Sequence, residues 1–274
     1  MTTQFFNHLN GKIAYDKVGS GPLVICAPSL GDVRGEYRFL SPYLVAAGYC
    51  VVTLDLRGLG ESSAQWEDYS VAGVGSDMVA LIRHLNRGPA ILVGTSMAAG
   101  AAVWAAAEAP ECVAGLVLIG PFVRGETSAR NALLYRVLFA RPWGVASWQW
   151  YYASLYPTHK PADFEGYKTA LGKNLKERGR LEALQQMMRA SKAASAERVA
   201  GVHAPALVIM GSKDPDFPKP EEEAQWVAGA VKGRYVMIDG AGHYPHAEMP
   251  AVTAPLIVDF LQTLRTPEGV QHGA

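Results

Sequence analysis

The chain has 274 residues, of which 49% are hydrophobic and 18% are charged, and its acidic and basic side chains balance to a net charge of zero. A chain of this length buries a full core without disulfides or metals, and its balanced charge excludes the basic surface that binds nucleic acid or anionic membranes. No stretch approaches the ~18 apolar residues of a membrane span and no signal-peptide pattern opens the chain, so we expect a soluble, cytoplasmic protein.

Strand and helix patterns alternate along most of the chain. Residues 5–9 and 12–16 alternate apolar and polar side chains around Asn10-Gly11, which predicts a hairpin. Continuous apolar runs then predict parallel strands at 23–27, 50–54, 90–93, 115–119, 206–210 and 235–238. Helical periodicity predicts helices at 37–47, 71–85, 97–108, 220–231 and 251–264. This order predicts an α/β fold built on a doubly wound, mostly parallel sheet with an antiparallel start.

The alternation stops once, over residues 123–200. This segment contains helical and aromatic stretches without a strand pattern, and a structureless loop of that length is uncommon in a compact domain. We therefore predict a helical insertion at 123–200 and an α/β core formed by 1–122 and 201–274, with a disordered tail from Thr266.

The aromatic side chains of the insertion, among them Trp143 and Tyr151, predict an apolar, aromatic-lined pocket, although packing of the insertion onto the core would also explain them. Arg124 and Arg141 are candidates to meet a substrate carboxylate, with a solvated surface position as the alternative.

Ser96 is the strongest candidate for a catalytic residue. It lies in Gly94-Thr95-Ser96-Met97-Ala98, between a predicted buried strand and an alanine-rich helix. A sharp turn there raises the serine hydroxyl above the sheet, within reach of a base on one side and backbone N–H donors on the other. A serine is a weak nucleophile by itself, so this interpretation requires activating partners elsewhere in the chain.

Candidate partners follow the last two predicted strands. Asp214 comes first after 206–210 and precedes a proline, which suits a side chain held in a rigid turn; Asp216 is the alternative acid, and both could be solvated turn residues. His243 ends a glycine-rich loop after 235–238 and is the candidate base, while His246 could line the pocket or pack against the loop. These two histidines have no third ligand nearby in the sequence, so we expect no metal.

The predicted oxyanion hole needs two backbone donors. One is the N–H of Met97, directly after the serine, and the other comes from the loop that follows the 23–27 strand. In that loop, Pro28-Ser29-Leu30-Gly31-Asp32, Leu30 is the best candidate because proline has no N–H. An ordinary strand–helix connection is the alternative interpretation of this loop.

With these residues in place, the chain resembles the α/β-hydrolase superfamily, in its lidded, esterase-like branch. Residues 55–62, Asp-Leu-Arg-Gly-Leu-Gly-Glu-Ser, look like the family's D-x-R-G-x-G-x-S segment, and 241–250, with Glu248 and Pro250, look like its histidine loop. The resemblance implies that Ser96 is the nucleophile, Asp214 the acid and His243 the base. It also implies Leu30 and Met97 as oxyanion donors, residues 123–200 as a cap over the pocket, and no cofactor.

Two positions depart from the family pattern. Ala98 replaces the last glycine of the serine turn, a small change. Pro28-Ser29 stands where many relatives carry His-Gly, and the Ser29 hydroxyl could enter the pocket.

The predicted function is a cofactor-independent serine hydrolase that cleaves small carboxylic esters through an acyl-enzyme. The alternatives are a small-molecule receptor on the same fold, a carbon–carbon bond hydrolase, or a cofactor-free haloperoxidase or perhydrolase. An aspartate-nucleophile enzyme is excluded, because the turn carries a serine. The oligomeric state and the natural substrate are not indicated by the sequence.

Overall fold

In the computed structural model, which describes residues 2–125 and 129–265, eight strands form one sheet in the order β1-β2-β4-β3-β5-β6-β7-β8. The pairs β1–β2 and β2–β4 are antiparallel and all others are parallel, which confirms the predicted α/β class. The strands are β1 Gln4–His8, β2 Gly11–Val18, β3 Leu23–Ala27, β4 Cys50–Leu54, β5 Ala90–Thr95, β6 Val113–Ile119, β7 Ala206–Gly211 and β8 Arg234–Ile238.

Helices cover both faces of the sheet, as expected of a doubly wound fold. They are α1 Ser41–Ala46, α2 Val71–Leu85, α3 Met97–Glu108, α4 Ala129–Leu138, α5 Gly144–Ser154, α6 Phe164–Lys176, α7 Arg180–Arg189, α8 Ala193–Arg198, α9 Pro220–Ala230, α10 Pro245–Glu248 and α11 Pro250–Thr263. Short 3₁₀ helices lie at Arg34–Arg38, Pro110–Cys112 and Val199–Gly201. Within the part of the chain that the structure describes, no helix combines the length and apolarity needed to cross a bilayer.

The continuous helix predicted at 37–47 is wrong. A 3₁₀ helix at Arg34–Arg38 ends first, and α1 begins anew at Ser41 with Pro42 in its first turn. Proline is accepted in the first turn, where its missing N–H would have no partner, but it breaks a helix that continues through it. The predicted bounds of α2 and α3 agree with the structure.

The core has two layers, because alternate residues of each buried strand point to opposite faces. In β3, Ile25 packs with α2 and α3, whereas Val24 and Cys26 pack with α1 and α11. A buried strand therefore needs apolar residues at every position, which explains the continuous runs in the sequence.

The ends of β3 and β5 define the point at which a ligand is expected. These strands are neighbours at the centre of the sheet, and the chain continues from β3 to one side and from β5 to the other. Ligands of open parallel sheets bind in the crevice at the carboxyl ends of the strands, where the strand order reverses in this way. Helices α4 to α8 lie between β6 and β7 in the chain, within the predicted insertion.

Candidate active site

Ser96 occupies the sharp turn between β5 and α3. Its backbone has φ 59° and ψ −120°, a conformation that costs a non-glycine residue on the order of 1–3 kcal/mol. The Ser96 N–H donates to the Ile119 carbonyl at 2.8 Å, and its own carbonyl accepts the N–H of Phe122 at 3.2 Å. A Cβ on Gly94 would lie 2.5 Å from the carbonyl oxygen of Ala98, so the turn requires glycine there. The neighbouring strand thus holds the serine in its strained geometry.

The Ser96 side chain opens into a cavity of about 220 Å³ between the end of the sheet and the insertion. The cavity is lined mainly by apolar side chains, which suits a small organic ligand. Its lining includes Leu30, Val71, Met97, Phe122, Tyr135, Phe139, Tyr151, Met187, Lys192 and Asp216.

A larger groove of about 840 Å³ lies elsewhere, beside α1 and α6. Its central cation, Arg34, is already paired with Asp16, Asp55 and Glu61. None of the sequence-predicted site residues lines this groove, so size alone does not identify the active site.

Asp214 and His243 are brought together after β7 and β8. Nδ1 of His243 lies 2.7 Å from Oδ2 of Asp214, and both side chains are buried. The His243 ring packs against Gly120, where a Cβ would lie 3.0 Å from it. The structure thus places Asp214, rather than Asp216, at the nitrogen that an orienting acid must contact.

The charge environment of His243 favours the imidazolium. Burial alone lowers the pKa of a histidine, but the charges of Asp214 and Asp216 outweigh it and raise the pKa of His243 to about 9.

The Ser96 hydroxyl makes no hydrogen bond to any residue among 2–125 and 129–265. Hydrogen bonds between a nucleophile and its base are commonly long in free enzymes and shorten on substrate binding.

Asp216 lies at the other nitrogen of the same ring. Its Oδ2 is 3.8 Å from Nε2 of His243, and the hydroxyl of Tyr151 donates to its two oxygens, at 2.6 and 2.8 Å. Burial raises the pKa of Asp216, an effect that the His243 charge and the Tyr151 hydrogen bond partly offset. A residue of the insertion therefore fixes a second carboxylate beside His243.

The same three side chains bear on metal binding. Ligand atoms of Asp214, Asp216 and His243 all lie within 4.8 Å of one another, so the structure supplies the neighbours that the sequence argument did not find. Each carboxylate oxygen already has a hydrogen-bond contact: one Asp214 oxygen lies at Nδ1, the other accepts the Asp216 N–H at 3.0 Å, and Tyr151 donates to the Asp216 oxygens. This donor set is organised for hydrogen bonding.

Two backbone N–H groups suit the role of oxyanion donors. Met97 is the first residue of α3, where an N–H has no intrahelical acceptor. In the loop after β3, the Ser29 N–H donates to Glu36 at 2.7 Å and the Asp32 N–H donates to the Ser29 carbonyl at 3.1 Å. The Leu30 N–H makes no hydrogen bond to the described residues, and both Leu30 and Met97 line the cavity.

Three of the tentative pocket residues lie away from the cavity wall. Trp143 lies just before α5, where its side chain is 52% exposed and its Nε1–H donates to the Val137 carbonyl. Ser29 is buried with its hydroxyl on Tyr244, and His246 is buried in a stack on Tyr37. Of the four, only Tyr151 lines the cavity.

The two candidate arginines are already paired with carboxylates. Arg124 binds Glu223 and lies over the ring of Trp226, and Arg141 binds Glu182 at the surface. Neither lines the cavity of Ser96. Their charges are thus committed to partners within the protein.

Sequence reasoning missed the buried polar groups that support the two loops of the site. Glu36 is fully buried and accepts the Ser29 N–H, yet in the sequence it is one polar residue among many. Glu248 accepts three N–H groups, from Gly242, Thr158 and His159, and so anchors the histidine loop to the insertion. The position of Glu248 within the H-x-x-H-x-E-x-P pattern of residues 243–250 was the one sequence feature that could have indicated this supporting role.

Comparisons with known proteins agree with this architecture. A family model described as the alpha/beta hydrolase fold matches residues 22–250. The chain is 28% identical over 267 residues to a 2-(acetamidomethylene)succinate hydrolase from Mesorhizobium japonicum, and the match covers 89% of each protein. A bromoperoxidase from Bacillus anthracis superposes with a TM-score of 0.81 at 20% identity, over 95% of this chain and 100% of the other. A hydrolase from Pseudomonas aeruginosa superposes with a TM-score of 0.80 at 22% identity, over 94% of this chain and 98% of the other.

Proposed function

The chain belongs to the alpha/beta hydrolase fold family, and from that premise we propose that it is a cofactor-independent serine hydrolase that cleaves small carboxylic esters. The observation that carries the proposal is the buried Asp214–His243 pair, 2.7 Å apart, beside the cavity into which Ser96 opens. An acid, a base and a strained serine at the carboxyl ends of β7, β8 and β5 are the parts that acyl transfer requires.

In the proposed reaction the Ser96 oxygen attacks the ester carbonyl carbon, and Nε2 of neutral His243 takes its proton. Asp214 orients the ring through Nδ1–H, while the N–H groups of Met97 and Leu30 stabilise the oxyanion. His243 then gives the proton to the leaving alcohol, and water releases the acyl group from Ser96 by the same steps in reverse order. Each oxyanion donor typically contributes ~10²–10³ in rate.

The lining of the cavity supports a mainly apolar ester. Among its described residues, Lys192 is the only one with a cationic side chain, and Asp216 places a negative charge beside the base. A dicarboxylate such as the succinate named for the relative from Mesorhizobium is therefore not the substrate that this site favours.

The test compares the wild type with Ser96→Ala. Both proteins are incubated with a fluorophosphonate probe and with a panel of p-nitrophenyl esters, in EDTA-containing buffer. We expect a mass adduct on Ser96 and ester turnover by the wild type alone. No adduct on Ser96, or equal turnover by the two proteins, would refute the proposal, whereas an adduct without turnover would favour a receptor or another bond type.

A further inference from the structure

Asp216 is not needed for the serine, acid and base roles proposed above. It nevertheless lies in the cavity of Ser96, with 14% of its side chain exposed, and 3.8 Å from Nε2 of His243. That nitrogen is the atom that exchanges protons with the nucleophile and the leaving group. A charge at this position acts on the reacting end of a bound substrate.

The carboxylate is held in place from two sides. Its backbone N–H donates to Asp214 at 3.0 Å, and the Tyr151 hydroxyl of α5 contacts both of its oxygens. Burial and the Asp216 charge raise the pKa of Tyr151 well above its usual value, so this hydroxyl remains a donor. Asp216 therefore cannot swing into solvent without breaking contacts with both the core and the insertion.

Counting charges shows what the site lacks. Asp214 and Asp216 contribute two carboxylates, and a neutral His243 leaves both uncompensated in a buried environment. In the free protein a proton on His243 supplies one positive charge, consistent with its raised pKa. A base that must be neutral for catalysis is thus opposed by its second acidic neighbour, unless the substrate brings a positive charge of its own.

We propose that Asp216 is a specificity-determining residue that selects esters carrying an ammonium group on the acyl chain. This inference rests on the proposed ester hydrolysis. The ammonium group contacts Asp216 and provides the charge that the proton on His243 otherwise provides, so the ring can act as a base at lower pH. An anionic group at the same place meets Asp216 directly and is rejected.

The other groups facing His243 do not replace this role. Glu36 adds a further negative charge, which also favours the imidazolium. The aromatic rings recorded around His243 in the described part of the chain are those of Phe122, Phe217 and Tyr244, and they carry no charge. Lys192 also lines the cavity, with its ammonium 5.5 Å from the centre of the Phe122 ring.

The experiment uses three p-nitrophenyl esters of matched length. The acyl groups are trimethylammoniobutyrate, its neutral isostere with a tert-butyl group, and monoanionic glutarate. For the wild type we expect kcat/KM to fall in that order, with a preference for cation over anion of ~10-fold or more. Asp216→Asn keeps the shape and an acceptor for Tyr151, and it should bring the ratio close to one. Asp239→Asn, which removes an exposed aspartate after β8, is the matched control and should leave the ratio unchanged.

A second readout separates selection from mere structural support. The pH at which kcat reaches half its maximum should be lower for the cationic ester than for the neutral one in the wild type, and equal for the two in Asp216→Asn. Equal or reversed wild-type preference among the esters would overturn the inference while ester turnover stands, even if Asp216→Asn does not fold. Absence of turnover together with absence of Ser96 labelling would instead refute the proposed function.

Discussion

Replacing the buried Glu36 tests whether the loop after β3 is held by its carboxylate. Glu36 is fully buried; one oxygen accepts the Ser29 N–H at 2.7 Å, and the other lies 3.2 Å from Nε2 of His246 without the alignment of a hydrogen bond. Glu36→Ala removes both contacts and leaves the Ser29 N–H buried without its acceptor. Glu36→Gln keeps an oxygen for the Ser29 N–H and removes the charge.

The expected magnitudes differ between the two variants. An orphaned buried N–H costs ~1–3 kcal/mol, and truncating a fully buried side chain to alanine adds the cost of the cavity that it leaves, so that such truncations commonly reach ~2–5 kcal/mol. We therefore expect Glu36→Ala to lower the free energy of unfolding by about 3–5 kcal/mol. Glu36→Gln should lower it by about 1–2 kcal/mol, because one strong hydrogen bond survives in weaker form.

The assay is equilibrium urea denaturation, in which the shift of the midpoint multiplied by the slope gives the change in unfolding free energy. Glu165→Ala, which removes an exposed ion pair with Lys168, is the control and should change the stability by less than ~1 kcal/mol. If Glu36→Ala and Glu36→Gln differ by less than ~1 kcal/mol, the hydrogen bond to Ser29 does not hold the loop and the reasoning is wrong.

Three further predictions concern two glycines, the buried Asp32 and the pH dependence of activity. Gly94→Ala should destabilise the fold by ~1–3 kcal/mol or more, because the new Cβ would lie 2.5 Å from the Ala98 carbonyl oxygen. Gly166→Ala, at an exposed position of α6 with no atom within 4 Å of the new Cβ, should stabilise the fold by ~0.5–1 kcal/mol. Thermal unfolding of the two variants measures both effects. Burial and the nearby Glu36 charge raise the pKa of Asp32 to about 8, so the folded state retains a proton that the unfolded chain loses near the ordinary value of 3.8. The free energy of unfolding should therefore fall as the pH rises from about 3.8 to about 8. Asp32→Asn should flatten that fall, as measured by urea denaturation at several pH values. Since the pKa of His243 is raised to about 9 and its neutral form is the proposed base, kcat/KM for a neutral ester should rise with pH to a half-maximum near 9, and a plateau already reached at pH 7 would contradict this.

The fold could be predicted from the sequence because its strongest signals are local. Each buried strand is a continuous apolar run, and the runs are separated by periodic helices such as α2 and α3, whose predicted ends agree with the structure. Asp214 and His243 could be proposed as partners because both follow strands, and β7 and β8 are neighbours in the sheet. The error at 37–47 arose because the apolar periodicity runs across Pro42 without interruption, whereas the backbone begins a new helix at Ser41 to place this proline in a first turn.

The environment of the site could not be predicted in the same way, since it depends on contacts between distant residues. Asp216 and Tyr151 are 65 residues apart, and nothing in either local sequence indicates that Tyr151 holds Asp216 beside His243. Trp143 and Tyr151 look equivalent in an aromatic segment, yet only the direction of α5 decides that the first faces solvent and the second the cavity.

The replacement of His-Gly by Pro28-Ser29 is best understood through the hydrogen bonds around it. Proline lacks an N–H, but the loop loses no anchor, because the next N–H, that of Ser29, is the one that Glu36 accepts. The Ser29 hydroxyl lies 2.5 Å from the hydroxyl of Tyr244 instead of entering the cavity, and Tyr244 directly follows His243. The substitution therefore ties the loop after β3 to the histidine loop and leaves the Leu30 N–H available to a substrate. On this argument Ser29→Ala should disturb the relative position of the two loops more than the polarity of the pocket, which would lower kcat and leave KM nearly unchanged.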